Sequence, residues 1–187
     1  MAKNRAVKRT PSGPAGEPST GGPAEPEGGG EAAEPIRWLS EEELQAWMAL
    51  AAMLTKLPAA LDRQLQRDAG LTHFEYRVLI GLSRAPEHTL RMSELADFTA
   101  SQLPRLSQVA TRLERRGWLS RHPDPTDGRS TLTSLTDEGM AKLKVSAPGH
   151  VTAVRRLVFD SISATQVRQM AQIARRIEQA TGSAEFR

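Results

Sequence analysis

The chain has 187 residues, a formal net charge of +3 and no cysteine. The lack of cysteine excludes disulfides, thiolate metal sites and cysteine nucleophiles, and so small a net charge does not by itself indicate a polyanionic partner. Few aromatic residues and abundant Leu, Ala, Arg and Glu favour a mostly helical protein. The sequence has no run of about 18 apolar residues and no apolar segment behind its basic N-terminus, so we expect a cytoplasmic protein without a membrane span.

Residues 1–35 differ in composition from the rest of the chain. They hold 7 of the 14 glycines and 6 of the 12 prolines, and almost no large apolar residue. Such a segment cannot bury enough surface to offset its ordering entropy, which predicts a disordered tail. Basic residues come first and acidic residues follow, so the segment is either a solvated tail or an arm that supplements nucleic-acid binding.

A capping box from Ser40 to Glu43 predicts the start of a first helix, in which each side chain bonds the other residue's backbone N–H. Pro58 should end or kink this helix, although apolar residues continue beyond it, and Gly70 should stop it. The predicted apolar face contains Leu44, Trp47, Met48, Ala51 and Leu54.

A second capping box, Thr72 to Glu75, predicts a helix with Phe74, Val78, Leu79 and Leu82 turned inward. The tripeptide 86–88 predicts a turn, and residues 89–92 a short extended segment. Ser93 is expected to cap the small helix SELADFTA.

The segment SQLPRLSQVATRLERRG, residues 101–117, predicts an amphipathic helix that begins between Ser101 and Pro104, because proline is tolerated only in a first turn. The side expected to face the core carries Leu103, Leu106, Ala110 and Leu113. The opposite side carries Ser101, Arg105, Gln108, Arg112 and Arg115.

This basic side is either an ordinary solvated surface or a surface that reads DNA. The small capped helix just before it gives the arrangement of a helix-turn-helix. Arg105 and Gln108, near the N-terminus, would then read guanine and adenine in the major groove. Arg112 would meet phosphates, and Arg115 either phosphates or the domain itself.

Two short strands, WLSRH and STLTSL, are predicted to form a hairpin around the sequence Asp-Pro-Thr-Asp-Gly-Arg. Asp127 and Gly128 are expected to shape its turn, with Gly128 at positive φ. Arg129 is either a solvated hairpin residue or, beside a DNA-reading helix, a cation carried to the minor groove.

Two long helical patterns follow from Thr136. The first runs to about Phe159 with an interruption at Pro148 and Gly149, and the second begins at a capping box from Ser163 to Gln166. The second repeats Val167, Met170, Ala174 and Ile177 at helical spacing. The long amphipathic helices at both ends of the folded part have no evident partner within so small a unit.

The stretch MSELADFTASQLPRLSQVATRLERRGWLSRHPDPTDGRSTLTSLTDEG, with the preceding GLTHFEYRVLIGLSRAPE, resembles the winged helix-turn-helix core of the MarR (multiple antibiotic resistance regulator) family. The resemblance covers roughly residues 38–180. Its matching positions are Glu94, Leu95 and Ala96; Arg112, Leu113, Glu114 and Gly117; Arg121; Asp127 and Arg129; and Leu135, Thr136 and Gly139.

The resemblance implies a mainly α fold with a small β-hairpin wing. Residues 71–135 would form a winged helix-turn-helix lobe that binds DNA, flanked by dimerisation helices in 36–70 and 136–187. It further implies a homodimer that acts as a repressor on a pseudo-palindromic operator, with helix 101–116 in the major groove and wing 122–132 in the minor groove. The DNA-contacting set is then Ser101, Gln102, Arg105, Ser107, Gln108, Arg112 and Arg129.

The sequence departs from the family pattern at two of these positions. Pro104 stands where a small hydroxyl residue is common, and Gly128 precedes Arg129 where many relatives have two arginines. Family members often release DNA when a small aromatic or anionic ligand binds. The residues expected to hold such a ligand, or else to be plain core, are Trp38, Trp47, His73, Tyr76, Arg77 and His150.

No enzyme, cofactor or metal is expected, because the sequence contains no catalytic triad, paired acids or phosphate-binding loop, and its four histidines stand at non-chelating spacings. Two alternatives to a ligand-released regulator stay open. One is a DNA-binding regulator that responds to no ligand. The other is a winged-helix module that binds proteins and reads no DNA sequence.

Overall fold

The computed structural model describes residues 36–182, so the predicted tail 1–35 and residues 183–187 lie outside the described part of the chain. Six α-helices form within this range: α1 (Glu41–Ala69), α2 (His73–Arg84), α3 (Met92–Phe98), α4 (Leu103–Arg115), α5 (Asp137–Leu157) and α6 (Ala164–Ala180). Three strands accompany them: β1 (Thr89–Arg91), β2 (Leu119–Asp124) and β3 (Asp127–Leu135). The predicted fold class, mainly α with a β-hairpin wing, is confirmed.

Helix α1 begins and ends as its sequence predicts. The Ser40 hydroxyl accepts a hydrogen bond from the backbone N–H of Glu43, whose carboxylate accepts from the Ser40 N–H. Gly70 ends the helix at φ 61°. The expectation that Pro58 ends or kinks the helix is wrong insofar as α1 runs through it without a break. Pro58 is exposed, and there the carbonyl that loses its partner is open to water.

The sequence predicts no membrane span, but α1 passes a test of length and composition for one. The helix contains an 18-residue window with few charges that is apolar enough, by length and composition, to cross a membrane. Polar residues such as Lys56 interrupt this window, so it contains no unbroken apolar run. Only 6% of that window is buried, so most of its apolar surface has no partner among residues 36–182.

Helix α3 has its N-cap two residues earlier than predicted. The N-cap is Arg91 rather than Ser93, and its backbone N–H donates to the Glu94 carboxylate over 2.8 Å. Strand β1 ends at the same residue, Arg91. The extended strand and the helix therefore meet directly, and Ser93 lies inside the first turn.

The sheet has the order β1-β3-β2 and is antiparallel throughout. β2 and β3 form the wing, and β1 fastens β3 to the body of the lobe, with Thr89 and Ser134 hydroxyls 2.7 Å apart. After β3, Thr136 caps α5 and Gly139 lies against the Trp118 carbonyl. A Cβ at Gly139 would stand 2.0 Å from that oxygen, so only glycine allows α5 to leave the sheet here.

The core lies between α2, α3, α4 and the sheet, closed by the C-terminal part of α1 and the start of α5. Its fully buried members include Leu65, Leu71, Leu79, Leu82, Leu95, Leu106 and Leu113. α5 runs unbroken through Pro148 and Gly149, contrary to the predicted interruption. The N-terminal part of α1 and most of α6 are exposed, although both carry the apolar residues predicted from their periodicity.

Candidate nucleic-acid interface

Helix α4 is fixed in the lobe by four apolar side chains that it buries: Leu106, Val109, Ala110 and Leu113. The turn before it is held by Thr99, which is buried and donates its hydroxyl to the Leu95 carbonyl over 2.7 Å. Ala100 follows at φ 47°, a left-handed conformation that is rare for alanine. This tight connection sets α4 across α3 and exposes its N-terminal turn.

The predicted basic side of α4 divides between two environments. The Arg105 guanidinium lies 4.8 Å from the centre of the Phe74 ring, a cation–π distance. The Arg112 Nε lies 3.5 Å from a carboxylate oxygen of Glu75, which is buried on α2. Both arginines therefore lean toward α2, where their side chains contact the protein.

The remaining polar residues of α4 have fewer contacts. Gln102 is the N-cap, and its carbonyl accepts from the Leu106 N–H. Ser101 is partly buried, with its hydroxyl 3.1 Å from that of Thr99. Gln108 and Arg115 are exposed, and neither side chain has a hydrogen bond or ion pair with another described residue. Ser107 is partly buried, and its carbonyl accepts from the Thr111 hydroxyl.

The base of the wing is tied to α4 by Arg121. Its guanidinium donates to the Glu114 carboxylate at 2.6 and 3.1 Å and to the Thr111 hydroxyl at 3.0 Å. The backbone N–H of Arg121 donates to the same carboxylate. Hydrogen bonds from the Arg121 side chain, together with its charge, lower the pKa of Glu114. Both side-chain bonds to Glu114 end on one carboxylate oxygen, Oε2, while the backbone N–H takes the other, so three bonds join the base of the wing to α4 at this carboxylate.

The tip of the wing is shaped by Asp124. Its carboxylate accepts from the Thr126 N–H and hydroxyl at 2.8 and 2.7 Å, and Arg91 pairs with its second oxygen at 2.8 Å. The Thr126 bonds, more than the Arg91 charge, lower the pKa of Asp124. Arg91 thus connects the tip to the N-terminus of α3, 33 positions earlier in the chain.

The predicted turn at Asp127 and Gly128 differs from the observed one. The two-residue tip is 125–126, both later residues belong to β3, and Gly128 is not at positive φ. Asp127 instead organises the start of β3, accepting from the Arg129 N–H and the Ser130 hydroxyl, and the Ser130 bond lowers the pKa of Asp127. Because the turn is centred on residues 125–126, Gly128 lies in the extended strand and does not need the positive φ that glycine allows.

Arg129 is exposed on the wing. Its backbone is bonded to Asp127, yet its guanidinium has no hydrogen bond or ion pair with any residue in the range 36–182. The backbone of Arg129 is fixed while its guanidinium is available, an arrangement suited to binding an anionic group of another molecule.

Three of the residues predicted to hold a ligand form a cluster where α2 meets α5. The His150 ring lies 4.4 Å from the Tyr76 ring and 5.9 Å from the His73 ring, and its Nδ1 is 3.4 Å from the Gln64 side-chain oxygen. Burial, and then the charge of Arg77, lowers the pKa of His73. Burial, and then His73, lowers the pKa of His150, whereas burial raises the pKa of Tyr76.

A cavity of about 390 Å³ adjoins this cluster, between α1, α2 and the start of α4. Its lining includes three basic side chains, His73, Arg77 and Arg105, and one carboxylate, Asp62. Arg77 also donates to the Phe98 carbonyl over 3.2 Å, which holds it at the wall. Trp38 and Trp47 do not line the cavity and are exposed. The structure therefore brings together four of the six residues predicted to hold a ligand and leaves these two tryptophans apart.

Several site residues escaped sequence analysis. Phe74 and Glu75, which receive the two α4 arginines, were read only as a core residue and a cap. Arg91 and Asp124 belong to segments whose pairing no local pattern reveals. Glu114 and Arg121 were named only as positions that match the family pattern. Their opposite charges, near the end of a helix and in the strand that follows it, could have indicated that they form an ion pair. Within residues 36–182, no group of three or more His, Asp or Glu side chains could hold a metal ion.

Known proteins share both the sequence and the architecture of this chain. The family model described as MarR family matches residues 69–130. Sco3205 of Streptomyces coelicolor, a MarR family transcriptional regulator solved in complex with DNA, is 41% identical; the match covers 79% of this chain and 92% of that one, with a TM-score of 0.75. AbsC of the same organism, also a MarR family transcriptional regulator, is 30% identical over 78% of this chain and 98% of its own, with a TM-score of 0.73.

A further relative is the transcriptional repressor MprA of Escherichia coli K12. It is 28% identical over 125 residues, which are 67% of this chain and 70% of MprA. The two Streptomyces proteins are matched over almost their whole length at 30% identity or more, with the same arrangement of helices and wing. The chain therefore belongs to the MarR family of transcriptional regulators.

Proposed function

We propose that the protein is a cytoplasmic homodimer that represses transcription by binding a pseudo-palindromic DNA operator. The observation that carries this proposal is that the exposed polar side of α4 is bonded to the wing through Arg121 and Glu114. On that wing, the Arg129 guanidinium has no partner among the described residues. Helix 101–116 would enter the major groove and wing 122–132 the neighbouring minor groove. The 41% identical Sco3205 was solved in complex with DNA, which supports the same role here.

The α4 contacts refine the expected roles of its side chains. Gln108 is exposed, and its side chain has no hydrogen bond with another residue in the range 36–182, which suits it to adenine. Phe74 holds the Arg105 guanidinium in place before DNA arrives, so less side-chain entropy is lost on binding guanine. Arg112 shares its charge with Glu75 and is better suited to a phosphate. Ser101, Gln102 and Ser107 supply short polar contacts around the same helical turn.

The dimer proposal rests on the exposed apolar surfaces of α1 and α6. Leu54 on α1 and Ile173 on α6 are 60% and 57% exposed. Exposed apolar surfaces of this extent are typical of protein–protein interfaces. A lipid bilayer is the other possible cover for α1. It would require α1 to pull Leu61 out of the contacts in which it is buried, whereas a second copy of the chain leaves those contacts intact.

Selection of bound fragments from random DNA tests the DNA-binding proposal. The wild-type protein should enrich a two-fold symmetric sequence with half-sites about one helical turn apart. Arg105→Ala should lose preference for that sequence but keep weak, salt-sensitive binding to any DNA. If Arg105→Ala lost affinity equally for operator and random DNA, Arg105 would not be a residue that reads a base. A wild-type protein that enriches no sequence would favour the protein-interaction module instead.

A response to a small anionic ligand is the second function that we propose, favoured by the cavity beside α4. Its wall combines Arg77, held by a backbone carbonyl, with His73 and the Phe74 ring, a lining suited to an aromatic carboxylate. The one carboxylate in the wall, Asp62, already accepts from the His73 backbone N–H and the Gln66 amide. Tyr76 and His150 would act indirectly, by packing against His73. Because Arg105 also lines the cavity, an anion there would draw this guanidinium away from DNA.

The ligand proposal can be tested by release of DNA with a panel of aromatic carboxylates. At least one member should dissociate wild-type protein from its operator and bind much more weakly to Arg77→Ala. Arg84→Ala, which removes a more exposed arginine at the other end of α2, is the matched control and should behave as wild type. Release by none of these compounds, or equal release from both variants, would favour a regulator that responds to no ligand.

A further inference from the structure

The first residue of α4, Leu103, is exposed where its sequence pattern predicts burial. Its side chain is 49% exposed, although it continues the apolar side formed by Leu106, Ala110 and Leu113. Every other exposed large apolar residue among residues 36–182 lies between 36 and 54 or between 145 and 177. Leu103 is therefore the one such residue in the part of the lobe, 71–135, that the DNA-binding proposal concerns.

Folding of the lobe does not account for Leu103. The core beneath α4 is closed by Leu106 one turn later, which is fully buried. The residues around Leu103 in sequence are polar or exposed: Gln102, an N-cap without a side-chain bond, and Pro104. Folding of the lobe therefore leaves the Leu103 side chain free to contact a partner outside it.

The position of Leu103 indicates what that partner is. In a helix-turn-helix the N-terminal residues of the second helix contact base edges in the major groove. The apolar group that a base presents there is the 5-methyl of thymine. We propose that Leu103 is a specificity-determining residue that packs on a thymine 5-methyl group in each half-site. This inference rests on the proposed DNA-binding function and adds an apolar contact to the polar reading by Arg105 and Gln108.

The experiment removes the methyl group from the DNA instead of from the protein. Each thymine of the selected operator is replaced in turn by deoxyuridine, which pairs as thymine does but lacks the 5-methyl. Wild-type protein should lose about fourfold in affinity at one thymine of each half-site, the effect of exposing one methyl group. Leu103→Ala should bind the normal operator about fourfold more weakly for each half-site and lose nothing further with deoxyuridine.

Two variants serve as controls. Ser107→Ala shortens another α4 side chain and should retain the full loss with deoxyuridine. Leu103→Met keeps a long apolar side chain and should retain most of it. Because the wild-type measurement alters only DNA, it does not depend on whether any variant folds.

Three outcomes would overturn the inference. Wild-type protein that is indifferent to deoxyuridine at every position has no methyl contact. Leu103→Ala that still loses affinity with deoxyuridine assigns the contact to another residue. Leu103→Ala that sediments as a smaller species assigns Leu103 to a protein interface. In all three cases the operator still exists, whereas a wild-type protein that selects no operator refutes the proposed function and this inference with it.

Discussion

At the scale of single residues, the lobe is organised by polar groups that it buries. Glu75 and Asp124 are buried carboxylates, and each is matched by an arginine and by hydrogen bonds from its own loop or cap. Buried charges persist in proteins only with such partners. The exception is Thr133 in the central strand, whose hydroxyl is buried and has no hydrogen-bond partner among the described residues.

Thr133→Val should therefore raise the free energy of unfolding by about 1 kcal/mol, because valine has nearly the same shape and removes an unsatisfied polar atom. Chemical denaturation monitored by circular dichroism would measure the change. Thr131→Val, at an exposed position of the same strand, is the matched control and should change stability by less than about 0.5 kcal/mol. A Thr133→Val variant less stable than wild type would mean that the hydroxyl has a partner in solution.

At the scale of elements, the boundary signals confined to a few neighbouring residues were confirmed. Capping boxes started α1, α2 and α6 where predicted, because a cap depends on residues three positions apart. The predicted break at Pro148 was wrong, since the packing of α5 outweighs one lost hydrogen bond. Burial of Leu103 was wrongly predicted because a helical pattern does not reveal where the surrounding domain ends.

The contacts of α4 were beyond sequence analysis for a related reason. The helical pattern placed Arg112 on the outer side correctly, but its pairing with Glu75 joins residues 37 positions apart in the chain. The same holds for Arg91 and Asp124. Such pairs depend on how elements pack, and no single segment contains that information.

The wing, as an element, gives a prediction about DNA flanks. Arg129→Ala should weaken operator binding most when the flanking base pairs are A·T-rich, because a narrow minor groove concentrates negative potential at an inserted guanidinium. Fluorescence anisotropy on operators with A·T or G·C flanks would measure the difference. Arg115→Ala, which removes an exposed arginine from α4, should show no dependence on the flanks. An equal flank dependence in both variants would reduce Arg129 to an ordinary phosphate contact.

At the scale of the whole molecule, α1, α2 and α5 meet around the histidine cluster, and their packing depends on neutral rings. Burial lowers the pKa values of His73 and His150 below their ordinary value of 6.5. Above that pH neither the folded nor the unfolded state binds these protons. Below it the unfolded state binds them first, so stability falls with falling pH until the folded state titrates too.

Wild-type protein should accordingly melt at a lower temperature at pH 5.5 than at pH 7.5, a window above the ordinary range of the carboxylates. His150→Gln should flatten this dependence, because it removes one of the two buried rings. Thermal denaturation at fixed protein concentration would measure the slope. His122→Gln, on the exposed side of the wing, is the control, and a His150→Gln variant with the wild-type slope would contradict the role of the cluster.

Assembly gives a second prediction at this scale. Wild-type protein should sediment with twice the mass of the 20.4 kDa chain, and Leu54→Asp should sediment as the single chain, because it places a charge in the proposed α1 interface. Leu103→Asp changes another half-exposed leucine and should keep the dimer while losing DNA. A Leu54→Asp variant that remains a dimer would place the interface elsewhere.

The bonds from Arg121 to Glu114 and Thr111 have a mechanical consequence. They restrict rotation of the hairpin relative to α4. Helix α4 and the wing therefore form one rigid unit in which the distance between them is fixed. In the proposed dimer, two such rigid units would adjust their separation only through the long helices proposed to join them. Inserting one base pair between half-sites rotates them by about a tenth of a turn, and that rotation must be absorbed far from the DNA surface.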